Sequence, residues 1–240
     1  MAAYRRVLVK LSGEALMGEA GYGIEPARLD YYAAELQAAG GGGVQLGVVI
    51  GGGNIFRGVQ AAAGGFDRVT ADHMGMLATV LNGLALAEAL RARGTAVAVH
   101  SGLPLGPVAQ AYVPAAARRD LEAGRLVLCV GGTGNPFFST DTAAGLRAAE
   151  LGADLLVKAT KVDGVYDADP LSNPGAKRYD VLAFNEVLHR ELGVMDAAAV
   201  ALCRDNGIPV RVCDVNRSGN LRAVVAGQPV GTLINREGRA

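Results

Sequence analysis

A series of short apolar runs, separated by segments with helical spacing, constrains the fold more than any other feature of the sequence. Most of these runs, such as "LGVVI" and "LVLCV", show no alternation of apolar and polar residues. Such runs are typical of strands buried on both faces, and helices between them are the usual connections of a parallel sheet. We therefore expect an α/β fold, in which a mostly parallel central sheet is sandwiched by helices as a three-layer α/β/α arrangement. The expected strands are 5–11, 44–50, 95–101, 125–130, 154–160, 208–215 and 231–234, and the expected helices are 26–40, 70–94, 116–124, 142–152, 184–193, 196–207 and 220–227.

Length and charge narrow the class of protein. The 240 residues suffice for one large α/β domain or for two small lobes that share a core. The formal net charge is zero, so the charge of the whole molecule gives no reason to expect a nucleic-acid or membrane partner. The N-terminal stretch carries charges within its apolar run and lacks the core of a signal peptide. We expect a cytoplasmic protein.

The rarity of lysine relative to arginine points to positions where a phosphate site could lie. Of the 23 basic residues only four are lysines, namely Lys10, Lys158, Lys161 and Lys177. An ammonium group is a compact point charge and a guanidinium group is a planar fork, so a phosphate site can require lysine. The three cysteines lie in or beside apolar segments without metal-binding spacing, which favours reduced core thiols over a catalytic cysteine.

Four polar clusters each follow a predicted strand, where parallel sheets bind their ligands. In the first, Lys10 ends a strand, and Ser12 and Gly13 form the turn after it. Backbone N–H groups at such a turn favour anions, and a nearby ammonium adds charge, although a lysine at a strand end can also simply reach solvent. In the second, three glycines precede Arg57, which could reach back toward the same phosphates.

The third cluster is "GGTGNPFFSTDTAA", residues 131–144. Its Asp141 stands where a helix cap is expected, and a cap requires no further function. Of its two adjacent phenylalanines, we expect one to point inward and the other to lie beside a ligand or a neighbouring subunit. In the fourth cluster, Lys158 and Lys161 flank the end of a strand. Together the clusters predict an anion site with glycine turns and two or three ammonium groups.

Several nucleotide and catalytic motifs are absent from the sequence. No Gly-Lys pair exists, which excludes a P-loop, and both GxGxxG candidates fail because Phe56 and Phe137 replace the third glycine. The protein-kinase motifs, HExxH and GxSxG are also missing. The interpretation that remains after these exclusions is a phosphate-binding site on an α/β sheet without a P-loop.

The segments "KLSGEAL", "GGGNIFRG", "DHMGMLATVLNG", "GTGNPFFSTDTAA" and "KATKVDGVYDADP" closely resemble the bacterial uridylate kinases of the amino acid kinase superfamily. The resemblance implies a single amino acid kinase domain over residues 4–235, with an acceptor-nucleotide lobe to about residue 150 and an ATP lobe after it. It further implies that the γ-phosphoryl group of ATP passes to UMP, giving UDP, with Mg²⁺ bound through the nucleotide phosphates. Family members are typically homohexamers that GTP activates and UTP inhibits.

The resemblance also implies roles for individual residues. The ATP-binding residues would be Lys10, Leu11, Ser12, Gly13, Gly53, Arg57, Thr160, Tyr166 and Asp169. The UMP-binding residues would be Gly52, Asp72, Thr133, Gly134, Asn135, Pro136, Phe137, Phe138, Ser139 and Thr140. The loop associated with GTP activation would be Gly18, Glu19, Ala20, Gly21, Tyr22 and Gly23.

The chemistry itself leads to a hypothesis about catalysis. The phosphate of UMP has a second pKa near 6 and is mostly dianionic at pH 7, so the acceptor needs no general base. The task is to bring two polyanions together and align them. We expect Lys10, Lys158 or Lys161 to neutralise charge and Asp141 to orient these lysines. Three alternatives stay open: a kinase for another small acid such as carbamate or acetylglutamate, a catalytically silent nucleotide-binding protein, and an NAD-dependent dehydrogenase.

Overall fold

A computed structural model describes residues 3–170, 172–173 and 175–239. Within these residues, nine strands form one sheet in the order β4-β3-β5-β2-β1-β6-β10-β11-β9, and two more form a separate antiparallel ribbon, β7-β8. All neighbours in the large sheet are parallel except β10 and β11, which are antiparallel. The strands are β1 (Arg6–Leu11), β2 (Gln45–Ile50), β3 (Val97–Ser101), β4 (Gln110–Ala111), β5 (Leu126–Val130), β6 (Leu155–Thr160), β7 (Val165–Tyr166), β8 (Arg178–Tyr179), β9 (Val181–Ala183), β10 (Val210–Asp214) and β11 (Thr232–Asn235).

The α-helices connect the strands of the sheet. They are α1 (Pro26–Ala39), α2 (Gly58–Ala63), α3 (Arg68–Ala92), α4 (Pro114–Glu122), α5 (Thr140–Leu151), α6 (Phe184–His189), α7 (Ala197–Asp205) and α8 (Asn220–Val225). Three short 3-10 helices cover Gly13–Leu16, Gly18–Ala20 and Gly41–Gly43.

The expected fold class is confirmed, because helices cover both faces of a mostly parallel sheet. Along β1, the side chains of Val7, Val9 and Leu11 pack on one face with α1, α3 and α8. The side chain of Leu8 packs on the other face with α4, α5, α6 and α7. Since both faces are buried, the strands need no polar positions, and this explains their continuous apolar runs.

All seven predicted strands and all seven predicted helices are present, with small shifts at their ends. The helix predicted over 184–193 is the main difference, because α6 ends at His189 and Glu191 takes a left-handed backbone conformation at φ 49°. The helix α2 and the strands β4, β7, β8 and β9 were not predicted. These elements have two to six residues, too few to show a period in the sequence.

Helix α3 is, in the part of the chain that the structure describes, the one helix long and apolar enough to cross a membrane. Half of its apolar stretch is buried inside the protein, as is usual for a core helix. The three cysteines are unpaired and buried, and burial raises the pKa of each thiol to about 12. They are therefore core thiols, as predicted.

The sheet is continuous across the predicted boundary between two lobes. Strand β1 pairs with β2 on one side and with β6 on the other, so segments before and after residue 150 share one sheet. The division into an acceptor-nucleotide lobe and an ATP lobe stays a prediction.

Candidate active site

The four polar clusters lie at one edge of the sheet. Strands β5, β2, β1 and β6 are consecutive neighbours and run parallel, so their carboxyl ends are side by side. Each of these ends leads directly into one of the clusters. The edge therefore brings glycine turns and lysines from four separate parts of the chain into one region.

Two lysines and one aspartate form the centre of this region. Lys10 on β1 and Lys158 on β6 are register partners. The Nζ of Lys10 lies 2.9 Å from Oδ1 of Asp141, and the Nζ of Lys158 donates to Oδ2 of Asp141 at 2.7 Å. The Nζ of Lys158 also donates to the carbonyl of Val194. The carboxylate of Asp141 thus holds both ammonium groups at one place.

The N-terminus of α5 supplies this carboxylate, but Asp141 is not the helix cap. The N-cap is Ser139, whose hydroxyl accepts from the backbone N–H groups of Asp141 and Thr142 at 3.0 and 3.1 Å. The alternative interpretation of Asp141 as a cap is therefore wrong. Asp141 lies in the first turn, where its side chain is free to face the lysines and where the helix dipole favours negative charge.

Burial and mutual charge set the pKa values of Asp141 and Lys158. Burial alone would raise the pKa of Asp141, but the ammonium groups of Lys10 and Lys158 outweigh it and hold the pKa below its usual value. For Lys158, burial lowers the pKa, although the Asp141 carboxylate opposes this effect. Asp141 is therefore an ionised carboxylate and a poor proton acceptor.

Lys161 and Arg57 lie elsewhere at the edge and share a different anion. The Nζ of Lys161 is 3.6 Å from Oε2 of Glu14, and its side chain is exposed. Arg57 pairs with Oε1 of the same carboxylate. Glu14 was not predicted, although its position directly after "KLSG" is a signal that could have been used.

Close backbone approach explains two of the glycines. A Cβ on Gly13 would lie 2.4 Å from Oδ1 of Asn54 and 2.6 Å from the carbonyl oxygen of Gly51. A Cβ on Gly52 would lie 2.7 Å from the Cβ of Ala78 in α3. All three distances are shorter than real Cβ contacts, so these turns can pack together only without side chains.

A cavity of about 320 Å³ lies on the α3 side of the edge. Six of the residues predicted to bind UMP line it: Gly52, Asp72, Phe137, Phe138, Ser139 and Thr140. Gly53, predicted to bind ATP, lines the same cavity, as do Phe56, Arg68 and Met76. The other four predicted UMP residues, Thr133, Gly134, Asn135 and Pro136, form the turn before the cavity wall and are not part of its lining.

Asp72 holds the wall of this cavity together. Its carboxylate accepts from Nε of Arg68 at 2.9 Å and from the backbone N–H of Phe137 at 2.7 Å. Phe137 takes a left-handed backbone conformation at φ 70°, which costs energy for a bulky residue. The guanidinium of Arg68 lies over the Phe137 ring, 5.4 Å from its centre.

The expectation that one of the two phenylalanines points inward is wrong. The side chains of Phe137 and Phe138 are 64% and 55% exposed. Ser139 caps helix α5 immediately after them, and α5 buries its own small residues instead. Both rings therefore stand at the mouth of the cavity.

Two further cavities flank Lys158. One, of about 570 Å³, is lined by three residues predicted for ATP, Thr160, Tyr166 and Asp169, and also by Arg190 and Val194. The other, of about 340 Å³, is lined by Lys10, Leu11, Ser12, Glu14, Tyr32, Lys161 and Asn216, among others. Lys158, Thr160 and Val162 line both cavities.

Asp196 is a second residue of the candidate site that was not predicted from the sequence. It caps α7 through the N–H of Ala199, and its carboxylate also accepts from the hydroxyls of Ser139 and Thr142. It therefore fixes the N-terminus of α5, and with it the position of Asp141. Among residues 3–170, 172–173 and 175–239, no group of three or more His, Cys, Asp or Glu is placed to hold a metal ion.

The segment predicted for GTP lies beside the glycine turns. Residues 18–20 form a 3-10 helix, Tyr22 is exposed, and the backbone N–H of Gly23 donates to the carbonyl of Asn54 at 2.8 Å.

A mostly parallel sheet whose carboxyl edge carries glycine turns and two lysines beside one aspartate defines an α/β protein with a candidate anion site and no P-loop motif. The model of the amino acid kinase family matches residues 5–214. The chain is 55% identical over 231 residues to the uridylate kinase of Marinobacter nauticus, covering 96% of each chain. It is 55% identical over 235 residues to that of Vibrio campbellii, covering 98% of this chain and 97% of the relative.

The crystal structure of UMP kinase from Bacillus anthracis superposes with a TM-score of 0.95 at 40% identity, covering 98% of this chain and 97% of that one. The chain belongs to the amino acid kinase family and, within it, to the uridylate kinases.

Proposed function

We propose that the chain transfers the γ-phosphoryl group of ATP to UMP, giving UDP. The observation that carries this proposal is the position of the Lys10–Asp141–Lys158 cluster. The first turn of α5, which holds Asp141, lines the 320 Å³ cavity through Thr140, and Lys158 lines the 570 Å³ cavity. Two ammonium groups thus lie between a candidate acceptor pocket and a candidate donor pocket.

UMP would occupy the cavity beside α3. Phe137 and Phe138 offer aromatic surface for the nucleoside, and Arg68 offers a positive charge at the same wall. Asp72 would then act on UMP mainly through the shape of this wall, since its carboxylate already accepts from Arg68 and Phe137.

ATP would lie along β6 on the other side of the lysines. Its adenosine end would use Thr160, Tyr166 and Asp169, and its phosphates would approach Lys10 and the turn of Ser12 and Gly13. Lys161 and Arg57, now paired with Glu14, stand at the border of this region and could turn to phosphate oxygens.

Catalysis in this arrangement is neutralisation and alignment. The dianionic phosphate of UMP is already a nucleophile, and Asp141 is too weak a base to be useful. The ammonium groups of Lys10 and Lys158 would stabilise the charge that develops on the transferring group. Asp141 would keep both groups aimed at one point.

Mg²⁺ would arrive as part of the substrate, bound to the phosphates of ATP. The side chains of the described region form no metal cluster, and the one buried carboxylate at the centre is engaged by two lysines. Bound to the ATP phosphates, it would add to the neutralisation of charge on the transferring phosphoryl group.

A direct test is a coupled assay of ADP release with UMP, CMP and dCMP as acceptors. The proposal predicts turnover with UMP that exceeds turnover with the other two. Carbamate and acetylglutamate serve as further acceptors, and phosphorylation of either in place of UMP would support a kinase for another small acid. Binding of NADH without phosphoryl transfer would support a dehydrogenase.

We also propose that the enzyme is cytoplasmic, activated by GTP, inhibited by UTP and assembled as a homohexamer. Support for self-association comes from α3, where Met74, Leu77 and Leu81 follow helical spacing and are 36%, 45% and 54% exposed. A second copy of this chain would cover them. Light scattering measures the assembly, and assays with GTP or UTP measure the regulation.

A further inference from the structure

Two buried asparagines connect three segments around the glycine turns. The side chains of Asn54 and Asn82 are 2% and 0% exposed. The Nδ2 of Asn54 donates to Oδ1 of Asn82 at 3.0 Å, and the Nδ2 of Asn82 donates to Oδ1 of Asn54 at 2.7 Å. The two amides thus form a closed reciprocal pair between the turn after β2 and the middle of α3.

The second hydrogen of each amide is donated to a different backbone segment. Asn54 donates to the carbonyl of Gly23 at 2.7 Å, and Asn82 donates to the carbonyl of Gly51 at 2.7 Å. The backbone of Gly23 donates in return to the carbonyl of Asn54 at 2.8 Å. The pair therefore links the end of the 18–23 segment to the first glycine after β2.

The same amide touches the turn after β1. Gly13 approaches Oδ1 of Asn54 and the carbonyl of Gly51 so closely that a Cβ there would clash with both. The side chain of Asn54 is accordingly packed between the two glycine turns that follow β1 and β2. A displacement of this side chain has to move at least one of the turns.

We propose that Asn54 and Asn82 are a positioning pair, which makes the placement of the Gly13 and Gly51–Gly53 turns depend on the 18–23 segment. Every amide hydrogen of the pair has a partner, and a broken bond would leave a buried polar group unpaired. The pair therefore has one favourable arrangement. When the backbone at Gly23 moves, these hydrogen bonds move the backbone at Gly51 with it. This inference rests on the proposed function, which assigns both turns to bound nucleotides.

Glycine substitutions at two matched positions test the link without replacing either buried asparagine. Gly23 and Gly94 have φ values of 79° and 78°, and a Cβ at either position would meet no atom within 4 Å. Gly23→Ala and Gly94→Ala therefore impose the same local backbone strain. Only Gly23 is bonded to Asn54, whereas Gly94 follows the far end of α3.

The expected result is a fall in kcat of about threefold or more for Gly23→Ala, with little change for Gly94→Ala and similar losses of Tm in both. Hydrogen exchange adds a readout that needs no activity. Gly23→Ala should speed amide exchange in residues 51–56, and Asn82→Ala should speed exchange there and in residues 16–25. Gly94→Ala should leave both segments as they are.

Equal kcat values for the two glycine variants, or faster exchange in Gly23→Ala confined to residues 16–25, would overturn the proposal. A purely structural pair would lower Tm and leave kcat of the folded enzyme unchanged. The exchange comparison also separates this inference from the proposed function. If the wild-type chain does not phosphorylate UMP, the proposed function fails, while the exchange data still decide whether the segments are coupled.

Discussion

Lys10 and Lys158 are register partners on adjacent parallel strands, and the ammonium groups of both contact the carboxylate of Asp141. Two like charges on neighbouring strands would repel each other without an anion between them. Asp141 supplies that anion from the first turn of α5. The arrangement concentrates positive charge at one point of the sheet edge.

Replacing Lys10 with alanine should lower kcat about a hundredfold or more and change KM for UMP far less, because the ammonium acts on charge that develops during transfer. Lys177→Ala is the control, since this lysine is exposed and lines none of the three cavities. Steady-state kinetics with varied UMP measures both constants. An unchanged kcat in Lys10→Ala would remove Lys10 from the chemistry.

Asp141→Asn keeps the size of the side chain and removes the charge that aims the lysines. We expect kcat to fall about a hundredfold, the usual effect of misplacing a catalytic group. Helix α5 should persist, because Ser139 is its cap. Asp30→Asn, which removes an exposed ion pair with Arg93, is the control. If Asp141→Asn reduced only Tm, its carboxylate would have a structural role alone.

The same carboxylate should contribute to acid stability with a definite sign. The pKa of Asp141 is lowered on folding, so its ionised form stabilises the folded state at pH values above the unfolded pKa near 3.8. This contribution is lost as the pH falls through the lower folded pKa. The Tm difference between wild type and Asp141→Asn should therefore be largest near pH 6 to 7 and shrink below about pH 4. A difference independent of pH would contradict the ion pairing.

Much of this region could be predicted from the sequence, since unbroken apolar runs locate the parallel strands and their ends locate the turns. The cap of α5 could not, because Ser139, Thr140 and Asp141 are consecutive and all can cap a helix. The ion-pair partners of Glu14 and the Asn54–Asn82 pair could not be predicted either, since these contacts join residues distant in sequence that only the folded turns bring together. The exposure of both phenylalanines depends on local backbone geometry that a residue pattern does not contain.

The left-handed conformation of Phe137 predicts an unusual order of variant stabilities. Phe137→Ala and Phe137→Gly both delete the ring over Arg68, but only glycine adopts φ 70° without strain. We expect Phe137→Gly to be more stable than Phe137→Ala by about 1 kcal/mol. At Phe138, which lacks a positive φ, the order should reverse. Chemical unfolding of the four variants measures this, and the same order at both positions would argue against a strained turn.

Gly52 and Gly53 should differ sharply in their tolerance of a methyl group. A Cβ on Gly52 would meet the Cβ of Ala78 at 2.7 Å and the carbonyl of Gly75 at 2.8 Å, so α3 or the turn must move. We expect Gly52→Ala to lose about 1–3 kcal/mol of stability, the usual cost of overpacking. A Cβ on Gly53 would meet only the side chain of Arg57, at 3.9 Å, and Gly53→Ala should stay within about 0.5 kcal/mol of wild type. Urea unfolding of both variants provides the comparison. Equal stability of the two variants would mean that α3 does not pack tightly against this turn. Since Gly52 lines the proposed UMP cavity, Gly52→Ala should also show a raised KM for UMP.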